Sequence, residues 1–359
     1  MSCLCRRQCR RQCRHHSRAW TPETDLLRHP LHILIVKTSS LGDVVHTLPA
    51  VTDAARARPG LRCDWLVERA FAEIPPWHPA VERVIRCDLR GWRKHLGRTV
   101  FGGDWSRFRA ELRQVQYDHV IDAQGLVKSA WLAYQARGPL AGPDRASARE
   151  PLAARFYTHG YTVPKHDIAH AVERARRLFA QALDYPMPDT PPDAGLDRSR
   201  FPVPTLSGPY VVFLHGTTWT SKRWSLEQWS ELGVWIATRG SRVVLPWGNE
   251  AERQDAETIA AACGGLVLPK LGLTELAGWL AHASYCVGVD TGLAHLAAAL
   301  ATPQLTLYGP TLPQLTGAVG ANQVWLTSGE YHTIDRERPN TVGVERVKEA
   351  LSQAPFPQS

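Results

Sequence analysis

LHILIVKTSSLGDVVHTLPAVTDAARAR, residues 31–58, changes its periodicity twice, and those changes decide the fold. The first seven residues are an apolar run rich in branched side chains, as expected of a strand buried on both faces. Thr38 to Gly42 are small and mostly polar and read as a tight loop. From Asp43 apolar residues recur at helical spacing until Pro59 and Gly60 end them. The alternation continues through CDWLVE (63–68), ERVIRC (82–87) and DHVIDAQ (118–124), with helical patterns between and helical segments on to about Tyr185. A second series follows: YVVFLH (210–215), SRVVLPW (241–247), GLVLPKL (265–271), YCVGVD (285–290) and QLTLYG (304–309), with ERVKEAL (345–351) as a final helix. Strands alternating with helices imply an α/β fold, here two Rossmann-like, doubly wound parallel sheets.

Residues 184–204 hold six prolines and almost no apolar periodicity, the mark of an extended connector. The predicted organisation is a first domain over 31–184, a linker over 185–207 and a second domain over 208–359. The whole chain has 359 residues, 44% of them hydrophobic, enough for two cores. Its net charge of +8 lies mostly in residues 1–18, which hold six arginines and no acid. That segment, within a basic extension over 1–30, reads as a disordered arm or as translated sequence upstream of a later start. Its repeat CRRQCRRQCRHH matches no standard zinc spacing, so no metal site is assigned. Cys63, Cys87, Cys263 and Cys286 are scattered through the body, against a disulfide framework. No apolar run reaches the length of a membrane span or a signal peptide, which predicts a cytoplasmic protein.

In open parallel sheets ligands bind beyond the carboxyl ends of the strands, so the strand-to-helix loops are the candidate sites. KTSSLGD (37–43) has small residues for close backbone approach and leads into a helix start. Asp43 stands where a capping residue would, yet a carboxylate facing a cleft can also take a proton from a substrate hydroxyl. HGTTWTSKRW (215–224) follows a strand with hydroxyls, Lys222 and Arg223; it suits phosphate but lacks P-loop spacing. VDTGLAHLAAAL (289–300) opens a helix with Asp290, Thr291 and Gly292, where amide donors and the positive helix end favour a diphosphate. Between Arg83 and Arg113 nine basic residues face three acids, with Trp92 and Trp105 among them, a cluster that attracts anions.

These segments, together with FAEIPPWH (71–78), VIDAQGLVKSA (120–130), SAREPLA (147–153) and LYGPT (307–311), resemble the lipopolysaccharide heptosyltransferases of the GT-B glycosyltransferase class. The resemblance runs from about Leu31 to the C-terminus and is strongest to the branch that adds the first heptose. It implies transfer of L-glycero-D-manno-heptose from an ADP-activated donor to the inner Kdo of Kdo2-lipid A. The anomeric centre inverts, and neither a cofactor nor an obligatory metal is required. The catalytic base falls on Asp43. Thr217, Thr218, Lys222, Glu252, Leu271, Asp290, Thr291, Gly292 and His295 fall on donor positions, Leu271 standing where the family pattern has Met. Lys37, Ser40, Gly42, Arg90, Arg93, Lys94, Gln124, Lys128, Arg145 and Arg149 are the acceptor candidates. Such an acceptor places the enzyme on the cytoplasmic face of a Gram-negative inner membrane as a peripheral protein.

Three other readings are weighed against this one. A nucleic-acid binder would explain the basic tail, but no recognition motif appears and the body is nearly neutral, so no nucleic-acid partner is expected. A dinucleotide oxidoreductase would share the sheets, but no Gly-x-Gly-x-x-Gly follows the opening strand. A transferase acting on an already heptosylated core differs only in its acceptor.

Overall fold

Among the described residues twelve short parallel strands form two sheets of six. The structure is a computed structural model, and it describes residues 30–94 and 102–354. The Cys-Arg repeat and Arg98 lie outside the described residues, as do the side chains of Arg90 and Arg93.

The opening apolar run forms β1 (His32–Val36), whose residues from Ile33 onward are fully buried. Its neighbours are β2 (Arg62–Glu68) and β4 (His119–Asp122), and β3 (Val81–Cys87) extends the sheet beyond β2. Because side chains alternate across a strand, Ile33 and Ile35 enter one apolar cluster while Leu34 and Val36 enter another on the opposite face. The second sheet is centred on β7 (Tyr210–Leu214) beside β10 (Tyr285–Val289). Its remaining strands are β8 (Arg242–Leu245), β9 (Leu266–Val267), β11 (Gln304–Tyr308) and β12 (Gln323–Thr327). Both sheets run 3-2-1-4-5-6 in their own strand count, the doubly wound order expected from the sequence.

Two expectations need correction. The stretch after β4 is not helical up to Tyr185: it contains β5 (Leu140–Pro143) and β6 (His159–Tyr161). LAGP and HGY are short and rich in Gly and Pro, so they lack the branched run that marks β1. β12 was missed for a similar reason, since its QVWLT mixes polar and apolar residues. The helix predicted over 43–58 is two helices, α1 (Leu41–Val45) and α2 (Leu48–Ala57), with a turn at His46 and Thr47. Pro49 explains the break: it brings no N–H to the ladder and its ring clashes with a continuing turn, but it fits the first turn of α2.

The connector is strapped down rather than free. Arg176, on α6 (Ala171–Ala182), pairs with Asp53 on α2 at 2.6 Å, and both side chains are buried. The same guanidinium donates to the carbonyls of Thr190 (3.0 Å) and Pro188 (3.4 Å), and Arg56 reaches Asp193. Removing one partner of a buried ion pair of this kind costs about 3–5 kcal/mol; residues 188–193 are tied to that pair by the Arg176 carbonyl hydrogen bonds and, more weakly, by the exposed Arg56–Asp193 pair. The two sheets also share one apolar core. Val44, Val45 and Leu48 belong to the same cluster as Val212, Leu214, Ala294 and Leu296. The four cysteines among the described residues are free thiols.

Candidate active site

In both sheets the chain reverses its winding between the two central strands, opening a crevice at their carboxyl ends. β1 and β4 form one such point, with Val36 opposite Asp122, and β7 and β10 form the other, with Leu214 opposite Gly288. The three loops singled out in the sequence leave β1, β7 and β10 at these points.

On the first sheet, Lys37 follows β1 directly. Its side chain is 12% exposed, donates to the Ala123 carbonyl at 3.0 Å and lies 3.7 Å from Asp43 Oδ1. Asp43 sits in the first turn of α1 and turns Oδ2 back to the cap, where it accepts from the Ser40 N–H (2.9 Å) and hydroxyl (3.0 Å). The capping and chemical readings of Asp43 are therefore compatible. Oδ2 holds the helix start, while Oδ1 faces Lys37, and the side chain is 36% exposed toward a pocket. Burial pushes the Asp43 carboxyl up, but Lys37 and the Ser40 hydrogen bonds outweigh it and hold the carboxyl down at about 2. Burial in turn lowers the Lys37 ammonium, against the pull of Asp43.

Gln124 accepts from the Thr38 N–H (2.8 Å) and hydroxyl (2.7 Å), so it ties the β1 loop to the β4 loop. Asp122 positions it by accepting from its N–H. Arg149 joins Lys37, Asp43 and Gln124 around the pocket. So does Arg174 on α6, which sequence reasoning missed. Its Nε is buried without a hydrogen-bond partner, and burial lowers its pKa although Asp43 pulls the other way. Only the fold brings α6 to this crevice, so nothing in the string HAVERARR separates Arg174 from its arginine neighbours. Lys94, Lys128 and Arg145 are exposed and do not line the pocket. The basic cluster is also thinner than its formal charge suggests. Arg83 is bonded to Asp64 and Tyr117, Arg107 to Asp104, and Arg113 to the Gln135 carbonyl.

On the second sheet, Asp290 directly follows β10 and is almost fully buried. Lys222 approaches its Oδ2 at 2.7 Å, the Thr311 hydroxyl donates to the same oxygen at 2.6 Å, and His295 Nε2 lies 3.5 Å from Oδ1. Burial would raise this carboxyl, yet His295 and Lys222 keep it well below the carboxylate range. Thr291 is the N-cap of α10 (Gly292–Ala299), whose first-turn amides face this loop. The Lys222 ammonium also sits 4.5 Å over the Trp219 ring, with the Arg336 guanidinium at 4.4 Å from the same ring. Thr217 is buried and Thr218 exposed in the same loop. Glu252 accepts from the Gly248 N–H at 2.8 Å, and its carboxylate lies against Gly216. Leu271 packs at the edge of the shared core. Thr311, quoted in LYGPT without a role, is the second functional neighbour that sequence reasoning left unassigned.

The two sites meet at glycine. A Cβ on Gly42 would stand 2.5 Å from the His295 ring, and one on Gly292 would stand 2.9 Å from the Leu41 side chain. Gly42 is thus buried against the second half rather than presented to a ligand. His46, the C-cap of α1, places its ring 4.4 Å from that of His295 and 5.3 Å from that of His170. Burial, with His295 and His170 beside it, pushes the His46 pKa well below the ordinary histidine value and keeps the ring neutral. Among the described residues no cluster of His, Cys, Asp and Glu has the makings of a metal site.

The profile of glycosyltransferase family 9 (heptosyltransferase) matches residues 105–344. The lipopolysaccharide heptosyltransferase 1 of Pseudomonas aeruginosa is 57% identical over 300 residues, which span 83% of this chain and 84% of that protein. The protein of the same name from Escherichia coli K12 is 48% identical over 297 residues, 82% of this chain and 92% of that one. The solved structure of E. coli heptosyltransferase WaaC with ADP is similar with a TM-score of 0.83 at 45% identity, covering 90% of this chain and 99% of that one. WaaC with ADP-2-deoxy-2-fluoro heptose gives a TM-score of 0.80 at 44% identity over the same shares. With two doubly wound sheets, a carboxylate at one crevice and a lysine–aspartate pair beside a helix start at the other, the chain belongs to glycosyltransferase family 9, the heptosyltransferases.

Proposed function

We propose that the protein transfers L-glycero-D-manno-heptose from ADP-L-glycero-β-D-manno-heptose to the inner Kdo of Kdo2-lipid A, with inversion. The observation that carries this reading is the direct contact of α1, bearing Asp43, with α10, whose N-terminus adjoins the Lys222–Asp290 pair. In this reading residues 31–184 hold the acceptor, 208–359 the donor, and 185–207 connect them.

Asp43 accepts the proton of the attacking Kdo hydroxyl as its oxygen bonds to the anomeric carbon. On the opposite face the bond from that carbon to the diphosphate oxygen breaks, and ADP leaves. An oxocarbenium-like transition state makes the hydroxyl acidic only as the new bond forms, so a carboxylate as weakly basic as Asp43 suffices. Lys222 and the first amides of α10 stabilise the negative charge growing on the diphosphate. In this reading Thr217 and Thr218 serve the phosphate loop and Glu252, beside Gly216 of that loop, takes the ribose hydroxyls. Lys37, Arg149 and Arg174 surround one carboxylate, Asp43, and this surplus of positive charge suits the Kdo carboxylate. A bound carboxylate there also offsets the cations that depress Asp43 and makes it a better base.

Purified protein incubated with ADP-heptose and Kdo2-lipid A is expected to yield the acceptor carrying one more heptosyl residue by mass spectrometry. Product from an already heptosylated core alone would give the assignment to the second-heptose branch instead. A pH profile tests the ion pair at the base. Asp43 is needed ionised, and in the free enzyme its depressed pKa means ionisation is lost only as pH falls through about 2, so kcat/KM should show no Asp43 limb above pH 4. Lys37→Gln removes the main opposing cation and leaves burial to raise the carboxyl. An acid limb in kcat/KM is then expected to move up toward the measurable range, with kcat/KM falling as pH drops through it. An unchanged profile would count against Lys37 as the group that sets Asp43.

A further inference from the structure

Beside the pocket of Asp43 the first half carries an exposed apolar face that neither the core nor the reaction uses. α5 (Val127–Ala133) continues helically into its cap at Tyr134, so positions 128, 131 and 134 fall on one side. They are Lys128, Trp131 and Tyr134; Trp131 is 41% and Tyr134 63% exposed. Against α5 lies the 3-10 turn Pro151–Phe156, whose three-residue repeat puts Leu152, 58% exposed, and Arg155, also exposed, on one side of that turn. The Glu150 carboxylate accepts from the Val127 N–H at 2.7 Å and so locks the two elements together. Trp131 stacks on Trp105 at 4.7 Å, and Tyr134 meets Phe156 edge to face at 5.9 Å, so the exposed rings stand on a rigid aromatic base.

We propose that Trp131, Tyr134 and Leu152, flanked by Lys128 and Arg155, form the surface by which the protein sits on an anionic lipid bilayer. Two features of this face select that occupant. Trp and Tyr have an apolar body and a polar edge suited to the headgroup layer, and the two flanking cations complement anionic headgroups. The face is also continuous with the pocket: Arg149 lines the Asp43 cavity and directly precedes Glu150 and the turn that carries Leu152. A glycolipid whose sugars enter that pocket would keep its acyl chains in the membrane on which this face rests. This proposal rests on the acceptor reading above. Lys128, assigned to the acceptor from the sequence, belongs to this outer face instead.

Flotation with phosphatidylethanolamine–phosphatidylglycerol vesicles, compared with phosphatidylcholine vesicles, tests it. The wild type is expected to float with the anionic vesicles and to bind the neutral ones more weakly. Tyr134→Ser combined with Leu152→Ser should weaken anionic-vesicle binding about tenfold or more. Trp131→Ser should do the same, but its stacking on Trp105 makes the Tyr134/Leu152 pair the safer variant for folding. That pair should keep the wild-type melting temperature and full activity toward a deacylated, water-soluble Kdo acceptor. Unchanged vesicle binding in the pair, no binding by the wild type, or an equal loss of activity on the soluble acceptor would overturn the proposal. So would a change in the protein's mass in solution, which would make the face a protein contact. Vesicle binding lost in the variant of a protein that transfers no heptose would leave the docking face standing and remove the acceptor reading; transfer without vesicle binding would do the reverse.

Discussion

Asp43→Asn is expected to lower kcat by about 10²- to 10⁴-fold, the range supplied by a positioned general base, with affinity for ADP-heptose nearly unchanged. The substitution isolates the chemistry because the amide oxygen can still accept from the Ser40 N–H and hydroxyl, so the start of α1 keeps its cap. What is lost is the negative charge beside Lys37 and the capacity to take a proton. Donor affinity should survive because Lys222, Asp290 and Thr291 belong to the other sheet and touch none of the Asp43 partners. Calorimetric titration with ADP and single-turnover transfer measure the two quantities separately. Turnover close to wild type would remove Asp43 as the base, and a parallel loss of ADP binding would point to a misfolded cleft.

Lys222→Ala should act on stability as well as on rate. A donor aimed at a leaving diphosphate is worth about 10²- to 10³-fold in rate, and this one also balances Asp290. Without Lys222 a buried carboxylate keeps only the Thr311 hydroxyl and the more distant His295, and breaking a buried pair from one side costs about 3–5 kcal/mol. A lower melting temperature and a loss of donor binding are therefore expected together. Adding Asp290→Asn separates them: the neutral amide removes the stranded charge, so stability should recover while transfer does not. The pH dependence follows from the sign of the shift. Asp290 is depressed in the folded state, so its contribution is present above the ordinary carboxylate pKa and is lost as pH falls through the depressed value. Removing Lys222 shrinks that depression, and the acid-side loss of stability should shrink with it. A variant as stable as wild type would mean that the pair carries no weight in folding.

The sequence made the sheets legible wherever a strand was buried on both faces. β1, β7 and β10 are unbroken apolar runs because helices cover them on either side. β5 and β6 were hidden because short strands rich in Gly and Pro have neither alternation nor length. The turn at His46 and Thr47 was obscured because Pro49 is as acceptable in a first turn as it is disruptive in a helix, and the apolar spacing continued across it. Among the candidate site residues, those on the segments that link a central strand to its next helix were readable: Lys37, Asp43, Lys222 and Asp290. Arg174 was not, since it comes from a helix whose own pattern is ordinary and reaches the pocket only through the crossing of α6 behind the sheet. Formal charge misled for a related reason. Arg83, Arg107 and Arg113 count as cations in the sequence but are bonded to Asp64, Asp104 and a carbonyl in the fold.

The glycine contacts between α1 and α10 bear on which nucleophile the activated sugar meets. With Gly42 seated on the His295 ring and Gly292 on Leu41, the two helix starts leave no layer for solvent between them. In the proposed reaction the attacking hydroxyl comes from the side lined by Lys37, Asp43 and Arg149. A seam this tight favours transfer over hydrolysis, because an alcohol held in that pocket is oriented while bulk water is shut out. Larger residues at positions 42 and 292 would pry the seam apart, and part of the activated sugar would be wasted on water.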